Sequence, residues 1–167
     1  MIFALRSGLT LLGLLTSVSS HPNKHSHHHV HDHNSTSRIE KRYAIEDSYT
    51  ASNFFNDFTF FTGPDPTHGY VQYITQFEAY LLGYINNKNN QVYLGVDHTT
   101  VNPANGRLSV RVTSNKAYTH GLFIADIQHM PGSICGVWPS YWMFGPNFPA
   151  SGEIDIIENV NYAFTNQ

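Results

Sequence analysis

The fold class is decided by the stretch 107-RLSVRVT-113, in which Leu108, Val110 and Val112 alternate with polar residues. Alternation with a period of two places these three side chains on one face of an extended strand. Six further runs are β-branched or aromatic and have the length of short strands: Phe54–Phe61, Gly69–Ile74, Gln91–Val96, Gly121–Ile127, Val137–Phe144 and Glu153–Ile157. Turn-forming segments rich in Gly, Pro and Asn separate these runs, and no stretch has a helical period. The sequence therefore predicts an all-β domain, an antiparallel β-sandwich or jelly roll.

The first twenty residues, 1–20, have the layout of a secretory signal peptide. Arg6 is their only charged residue, an apolar run follows from Leu9 to Leu15, and small residues close the segment. The apolar run is shorter than the roughly 20 residues that a transmembrane helix needs, so we expect no membrane anchor. A buried helix is the alternative interpretation. We expect a secreted protein, found outside the cell or in the cell wall.

Residues 21–42 are rich in histidine and end in the dibasic pair Lys41-Arg42. This segment contains seven of the eleven His and almost no apolar residue, so it cannot build a core. It resembles a propeptide that a kexin-like protease removes, as in fungal secretion. A metal-binding tract is the alternative, although such a tract has no fixed ligand geometry.

Residues 43–167 form the predicted mature domain, which is acidic and aromatic. They contain four Lys and Arg against ten Asp and Glu, a net charge of −6, together with every Tyr and Trp of the chain. An acidic surface does not hold phosphate backbones, which argues against nucleic acid as a partner. Acidic and aromatic residues in a secreted chain suggest a neutral polar ligand with faces for stacking, such as a sugar.

The segment Ser151–Glu158 places three carboxylates among β-branched residues. On a regular strand Glu153 and Asp155 share a face, and Glu158 lies on the other face. One β-bulge between Asp155 and Glu158 would bring all three to the same side, and bulges are common beside active sites. The Cα atoms of the two Glu would still be about 13 Å apart, so the sheet would have to be concave to bring their carboxyls together.

Crowding among these carboxylates, and their aromatic surroundings, should raise the pKa of at least one of them. A raised pKa is what a general acid needs near neutral pH. Two alternatives to catalysis remain from the spacing alone: an acidic strand edge that faces solvent, and a calcium site.

The segment Gly152–Glu158 resembles the signature of glycoside hydrolase family 16 in its bulged form, E-x-D-x-x-E. The segments His129–Pro146 and Phe60–Tyr73 are similar to those of fungal endo-1,3(4)-β-glucanases of the laminarinase-like branch. The resemblance extends over essentially all of residues 43–167, and it implies a concanavalin-like jelly roll. It also implies a secreted retaining endo-β-glucanase acting on β-1,3 or mixed β-1,3/1,4 glucan.

The resemblance implies a role for each carboxylate. Glu153 corresponds to the nucleophile and Glu158 to the general acid/base, and Asp155 to the carboxylate that hydrogen-bonds the nucleophile. The implied reaction is a double displacement through a covalent glycosyl-enzyme, which needs no metal or organic cofactor. The implied partner is the β-glucan chain.

Three aromatic residues are predicted to bind the glucan by stacking on sugar faces: Trp142, Trp138 and Phe148. Trp142 is the first choice, whereas Trp138 fits a core position as well. Phe148 stands where relatives of this branch often have Trp, which removes an indole N–H donor. Asn159 stands where Gly is expected after the acid/base, and we expect it to restrain the end of the strand.

Two other functions fit the same segments. One is a lectin-like β-sandwich that binds glucan without cleaving it, although a pure binder has no use for three crowded carboxylates. The other is a cell-wall transglycosylase, whose relatives usually carry the shorter form E-x-D-x-E, so that the additional Ile157 counts against it.

The domain is predicted to be incomplete, with 43–167 as its N-terminal portion. The last predicted strand ends within ten residues of Gln167, which leaves little chain to cover its inner face. Cys135 is the only cysteine, and in an oxidising compartment this favours a disulfide partner beyond Gln167 over a buried free thiol. We expect the 167 residues alone to be inactive, and the complete protein to be a monomer.

Overall fold

The computed structural model describes residues 2–7 and 43–166. The histidine-rich segment 21–42 and the end of the predicted signal peptide lie outside the described residues.

Strands outnumber helices along the described chain. In chain order the elements are β1 (Ile2–Ser7), α1 (Phe54–Asp57), β2 (Phe58–Phe60), β3 (Val71–Tyr73), α2 (Gln76–Leu81), β4 (Ile85–Asn86), β5 (Tyr93–Leu94), β6 (Arg107–Ser109), β7 (Arg111–Tyr118), β8 (Ser140–Phe144) and β9 (Glu153–Glu158). A single 3₁₀ turn, Lys88–Asn90, lies between β4 and β5. The predicted all-β class is confirmed.

The strands that carry the site belong to one five-stranded sheet in the order β2-β7-β1-β8-β9. The pairs β2–β7 and β8–β9 are antiparallel, as expected, but β1 is parallel to both of its neighbours, β7 and β8. The two smaller sheets are a parallel pair, β3–β6, and an antiparallel pair, β4–β5. The pairs that β1 makes and the pair β3–β6 are thus parallel, whereas the other strand pairs of the described residues are antiparallel.

The alternating stretch 107–113 forms two strands, β6 and β7, with Val110 between them. Val110 and Val112 are fully buried, and Leu108 packs against the same hydrophobic cluster. The predicted apolar face is thus confirmed. Arg111 is buried as well, on the opposite side of β7, where period two places it.

The hydrophobic core gathers side chains from β2, β7, β8 and the segments around α1 and α2. Its buried members are Phe54, Phe58, Ile74, Ala79, Tyr84, Ile85, Val110, Val112, Tyr118 and Tyr141. The rings of Phe54 and Phe58 are stacked with their centroids 4.2 Å apart. This contact joins α1 to β2 and fixes the first edge of the large sheet.

Two predicted strands differ from the structure. The run Phe54–Phe61 begins as the helical turn α1 and becomes extended only at Phe58. The run Gly121–Ile127 forms no strand, and Ile124 is 85% exposed. An extended segment becomes a strand only when a neighbouring strand accepts its hydrogen bonds, and composition does not report such a neighbour.

Helix α2 is an element that the sequence analysis did not predict. Thr75 caps it: its hydroxyl accepts a hydrogen bond from the Glu78 amide at 3.2 Å, and its own amide donates to the Glu78 carboxylate at 2.9 Å. This reciprocal pair satisfies two amide donors of the first turn. The helix has only six residues, which is too short for a helical period to be recognised.

Gly106 allows β6 to lie directly beside the segment that leads into β3. Its φ is +91°, and a Cβ at this position would lie 2.8 Å from the Val71 amide nitrogen. Only glycine combines this backbone conformation with such a close approach. Beside Gly106, the Arg107 amide donates a hydrogen bond to the Tyr70 carbonyl at 3.1 Å, which also joins the two segments.

Candidate active site

The acidic strand β9 contains the predicted β-bulge. Asp155 lies opposite Trp142 of β8, but the next β8 residue, Tyr141, lies opposite Ile157, so that Ile156 is the additional residue. The bulge therefore falls between Asp155 and Glu158, as the spacing of the carboxylates predicted. The bulge adds one residue to β9 that has no partner of its own on β8. As a result, Glu158 lies on the same face of the sheet as Asp155.

The bulge brings the three carboxylates to one face of the sheet. Glu153, Asp155 and Glu158 lie opposite alternate residues of β8, which are Phe144, Trp142 and Ser140. Residues directly opposite each other on neighbouring strands project to the same side. The three acidic side chains thus form one row beside the aromatic side chains of β8.

The pKa of Glu153 lies above its usual range. The main cause is partial burial, and the negative charges of Asp155 and Glu158 raise it further. The expectation that crowding raises at least one pKa is confirmed. Because folding raises this pKa, the folded state holds the proton more tightly than the unfolded chain does. Glu153 therefore contributes stability at low pH that is lost as the pH rises through its titration.

Replacing Asp155 with Asn is expected to lower the pKa of Glu153, because the substitution removes the stronger of the two repelling charges. The measurement is a pH titration of the Glu side-chain carboxyl carbons by NMR, in the 167-residue chain. Asp126→Asn, which changes an exposed carboxylate in the segment between β7 and β8, is the matched control and should leave the midpoint unchanged. A midpoint that stays fixed or rises in Asp155→Asn would contradict charge repulsion as a cause.

Trp138 contacts the predicted acid/base directly. Its indole Nε1–H donates to Oε1 of Glu158 at 2.7 Å, and its side chain is 43% exposed. A core position for Trp138 is therefore wrong. The hydrogen bond holds one carboxylate oxygen of Glu158, and part of the Trp138 side chain stays exposed to solvent.

Trp142 lies in an aromatic cluster with Phe144 and Phe148. The Trp142 ring centroid is 5.0 Å from that of Phe144 and 5.1 Å from that of Phe148. Trp142 is only 5% exposed, so most of its surface is covered. Phe148 is half-buried, and together with Trp138 it offers the free aromatic surface next to the carboxylates.

Arg111 is a buried cation beside this cluster that the sequence analysis did not assign to the site. Its guanidinium carbon lies 4.7 Å from the ring centroid of Phe61, 5.3 Å from that of Trp142 and 5.9 Å from that of Tyr73. Its Nη1 is 3.8 Å from Oδ1 of Asp65, and both side chains are at least nine-tenths buried. A signal was present in the sequence, because Arg111 is a charge in the middle of a strand whose neighbours are valines.

Two features of the surroundings of Arg111 are the protonation state of the Tyr73 phenol and two buried donors without a partner. Burial and the charge of Asp65 raise the pKa of Tyr73 to about 12, so its phenol keeps its proton. Within the described residues, Nε of Arg111 and Nε1 of Trp142 are buried donors without a hydrogen-bond partner. Buried donors are normally satisfied, so these two are exceptions to the usual pairing.

Asn159 ties the end of β9 to the chain that follows it. Its Nδ2 donates to the Ala163 carbonyl at 2.8 Å, and its amide donates to the Pro139 carbonyl at 3.3 Å. The expected restraint of the strand end is present. It fixes the backbone immediately after Glu158.

The described residues contain no group of three or more His, Cys, Asp or Glu side chains arranged to hold a metal ion.

Cys135 is exposed and is not part of a disulfide, so the interpretation as a buried free thiol is wrong. None of the described helices has both the length and the apolar composition to cross a bilayer.

Comparison with known proteins identifies the family. The model of the XgeA-like catalytic GH16 domain matches residues 58–167. An endo-1,3(4)-beta-glucanase of Arthroderma benhamiae is 50% identical over 119 residues, which are 71% of this chain and 26% of that protein.

Two solved structures are also similar. A GH family 16 beta-1,3-glucosyltransferase, described as elongating, has 46% sequence identity and a TM-score of 0.70, over 73% of this chain and 42% of that one. Laminarinase 16A from Phanerochaete chrysosporium, solved with 6-O-glucosyl-laminaritriose in its donor and acceptor sites, has 39% identity and a TM-score of 0.68 over the same shares. The chain thus spans about a quarter of the curated relative and less than half of the solved chains. By sequence and by structure, it belongs to glycoside hydrolase family 16.

Proposed function

We propose that the complete protein is a secreted, retaining endo-β-glucanase that hydrolyses β-1,3 or mixed β-1,3/1,4 glucan. The 167 residues then supply the N-terminal part of its catalytic domain, including the carboxylates. The observation that carries the proposal is the bulge at Ile156, which sets Glu153, Asp155 and Glu158 on one face beside aromatic side chains.

The proposed reaction is a double displacement that uses the two glutamates of this row of carboxylates. Glu153 attacks the anomeric carbon and forms a covalent glycosyl-enzyme, while Glu158 protonates the departing glycosidic oxygen. Water then attacks the intermediate, with Glu158 taking its proton, and the anomeric configuration is retained. Both steps use side chains of β9 only, and the proposal includes no metal or organic cofactor.

The contact of Trp138 with Glu158 supports the role of Glu158, whereas the raised pKa belongs to Glu153, the proposed nucleophile, and not to the general acid for which it was expected. The Trp138 N–H holds one oxygen of Glu158, which orients the other oxygen toward its reaction partner. Glu153 must be ionised to attack, and its raised pKa means that activity should fall on the acidic side at a higher pH than for an ordinary Glu.

Two aromatic side chains near the carboxylates are available to bind a glucan chain. Trp138 and Phe148 present aromatic faces for stacking on sugar rings. The names of the A. benhamiae enzyme and of Laminarinase 16A support a β-glucan as the substrate class.

A second candidate is transfer of the glycosyl group to another glucan chain in place of water. The solved glucosyltransferase, at 46% identity, favours this candidate, because it shows that the same family includes transferases. The covalent intermediate is common to both reactions, so the carboxylate row does not distinguish them.

The test uses the complete protein and laminarin, a β-1,3-glucan, or a mixed-linkage β-glucan. We expect proton NMR to show the β-anomer of the new reducing end first, and chromatography to show products shorter than the substrate. First appearance of the α-anomer would contradict a retaining mechanism. Products longer than the substrate would assign the transferase function.

The predicted signal peptide and dibasic site support secretion to the outside of the cell or to the cell wall, and we propose that the complete protein acts there as a monomer. We also propose that the 167 residues alone do not cleave glucan, because the solved relatives contain more than twice the length of chain that the match covers.

A further inference from the structure

The chain that follows β9 turns back along the edge of that strand that faces away from β8, and it brings Asn166 beside the bulge. Within the described residues β9 is the last strand of the large sheet. On its outer edge, Oδ1 of Asn166 accepts a hydrogen bond from the Glu158 amide at 2.8 Å. Nδ2 of the same side chain donates to the Ile156 carbonyl at 3.4 Å. One carboxamide thus contacts both the bulge residue and the predicted acid/base.

The Asn166 carboxamide acts here as a peptide group of a neighbouring strand would. A backbone N–H only donates and a carbonyl only accepts, so the two contacts fix which end of the carboxamide is the oxygen. The Ile156 carbonyl belongs to the peptide unit before Ile157, and the Glu158 N–H belongs to the peptide unit after it. The side chain therefore holds the backbone on both sides of Ile157.

Side-chain packing holds the bulge residue only weakly. Ile156 is 41% exposed, whereas Ile157 packs against the hydrophobic core. A bulge also leaves its additional residue unpaired in the ladder, and in β9 that residue is Ile156. The backbone at this position therefore depends on hydrogen bonds from outside the β8–β9 ladder, and Asn166 supplies one of them.

We propose that Asn166 is a positioning residue for the acid/base. Its carboxamide holds the bulge, and the bulge turns Glu158 to the face that carries Glu153 and Asp155. In a regular strand Glu158 would project to the other face. Asn166 acts through the backbone of Glu158 and not on the substrate. This inference rests on the proposed hydrolase, to which it adds the residue that keeps the acid/base in place.

Glu158 is then held at both ends. The Trp138 Nε1–H donates to its carboxylate at 2.7 Å, and Asn166 accepts from its backbone amide. A general acid works only when its carboxyl lies within hydrogen-bond reach of the leaving oxygen. A backbone shift at Glu158 that moves the carboxyl out of this range is therefore expected to slow the reaction.

The segment that carries Asn166 is anchored to the chain before β8. The Asn161 amide donates to the Val137 carbonyl at 3.0 Å, and Oδ1 of Asn161 accepts from the Gly136 amide at 2.8 Å. These bonds hold the turn between β9 and Asn166. The carboxamide is therefore presented to the bulge by a restrained backbone.

Kinetics of the complete protein on two substrates test the proposal. Laminarin has a sugar hydroxyl as its leaving group, which needs a proton from Glu158, whereas the leaving group of a dinitrophenyl β-laminaribioside departs without one. The quantity compared is kcat/KM, because it covers the steps up to the glycosyl-enzyme. We expect Asn166→Ala to lower kcat/KM about 10- to 100-fold on laminarin and to leave it within about twofold on the aryl glycoside.

Asn115→Ala is the matched control. Both ends of the Asn115 carboxamide are also bonded: it donates to the Asn56 carbonyl at 3.1 Å and accepts from the Thr59 hydroxyl at 2.6 Å. It lies on β7 beside β2, toward the opposite edge of the sheet, so its loss should leave the ratio of the two kcat/KM values unchanged. Equal losses on both substrates in Asn166→Ala, or no loss on laminarin, would overturn the proposal.

A second variant, Asn166→Asp, keeps the experiment informative if Asn166→Ala folds poorly. Asp keeps the acceptor for the Glu158 amide and removes only the donor to the Ile156 carbonyl. We expect a selective loss on laminarin that is smaller than the loss in Asn166→Ala. A loss that is equal on both substrates would again count against a positioning role.

Amide hydrogen exchange separates this inference from the proposed function. NMR on the complete protein should show that the Glu158 amide exchanges several-fold faster in Asn166→Ala and at its original rate in Asn115→Ala. If the unmodified protein cleaves neither substrate, the proposed hydrolase fails, and the exchange rate alone decides whether Asn166 holds the bulge. An unchanged rate for the Glu158 amide in Asn166→Ala would overturn the inference.

Discussion

Replacing Glu153 with Gln in the complete protein is expected to lower kcat on laminarin by about 10⁴-fold or more. The amide has nearly the same shape as the carboxylate but cannot form the covalent intermediate. Because the Glu153 carboxylate is partly desolvated and is repelled by Asp155 and Glu158, the substitution should leave the melting temperature unchanged or slightly raised. The measurements are initial rates and thermal unfolding, with Asp126→Asn as the control. Turnover like that of the unmodified protein would contradict the assignment of Glu153.

Azide separates the roles of the two glutamates. In Glu153→Ala, azide should attack the anomeric carbon directly and give a glycosyl azide of inverted configuration. In Glu158→Ala, Glu153 still forms the intermediate with an activated glycoside, and azide then gives a product of retained configuration. The reverse pattern would exchange the roles of nucleophile and acid/base.

Replacing Arg111 with Met is expected to lower the free energy of unfolding by about 3 kcal/mol. The substitution leaves the buried carboxylate of Asp65 without its cation, although the Gly69 amide and the Thr67 hydroxyl still donate to it. Typical domains are stable by only 5–15 kcal/mol, so such a loss would be large. Urea unfolding followed by tryptophan fluorescence measures it.

Charge and ring contacts can be separated at this position. Asp65→Asn in the Arg111→Met background should recover part of the loss, because the uncompensated charge is removed. Arg111→Lys keeps the charge but loses the planar contact with Phe61 and Trp142, and we expect an intermediate stability. If the changes in unfolding free energy of the two single substitutions simply add up in the double variant, Arg111 and Asp65 do not interact.

The acidic strand was predictable because its geometry follows from spacing alone. Three carboxylates in a strand of isoleucines serve a common purpose only if they share a face, and one additional residue is the simplest way to achieve it. The apolar face of 107–113 was predictable for the same reason, since period two needs no knowledge of the partner strand.

Other elements depend on contacts that are distant in sequence. A short apolar run with one charge is equally compatible with a signal peptide and with a strand, and only the presence of β7 and β8 makes Ile2–Ser7 a strand. The run Gly121–Ile127 has strand-like composition but no neighbour. The Arg111 cluster joins Phe61, Asp65, Tyr73 and Trp142, which are spread over 82 positions.

The bulge at Ile156 has a consequence for how this strand can change during evolution. Loss of one codon inside a regular strand reverses the side of the sheet that all later residues face. At a bulge the additional residue can be lost while the alternation survives, so deleting Ile156 would leave Glu153, Asp155 and the last Glu on their common face. Such a deletion would straighten β9 and shift its end by about one residue, or roughly 3 Å. A catalytic strand of this kind can thus be shortened by one codon without passing through an ancestor in which one carboxylate points away.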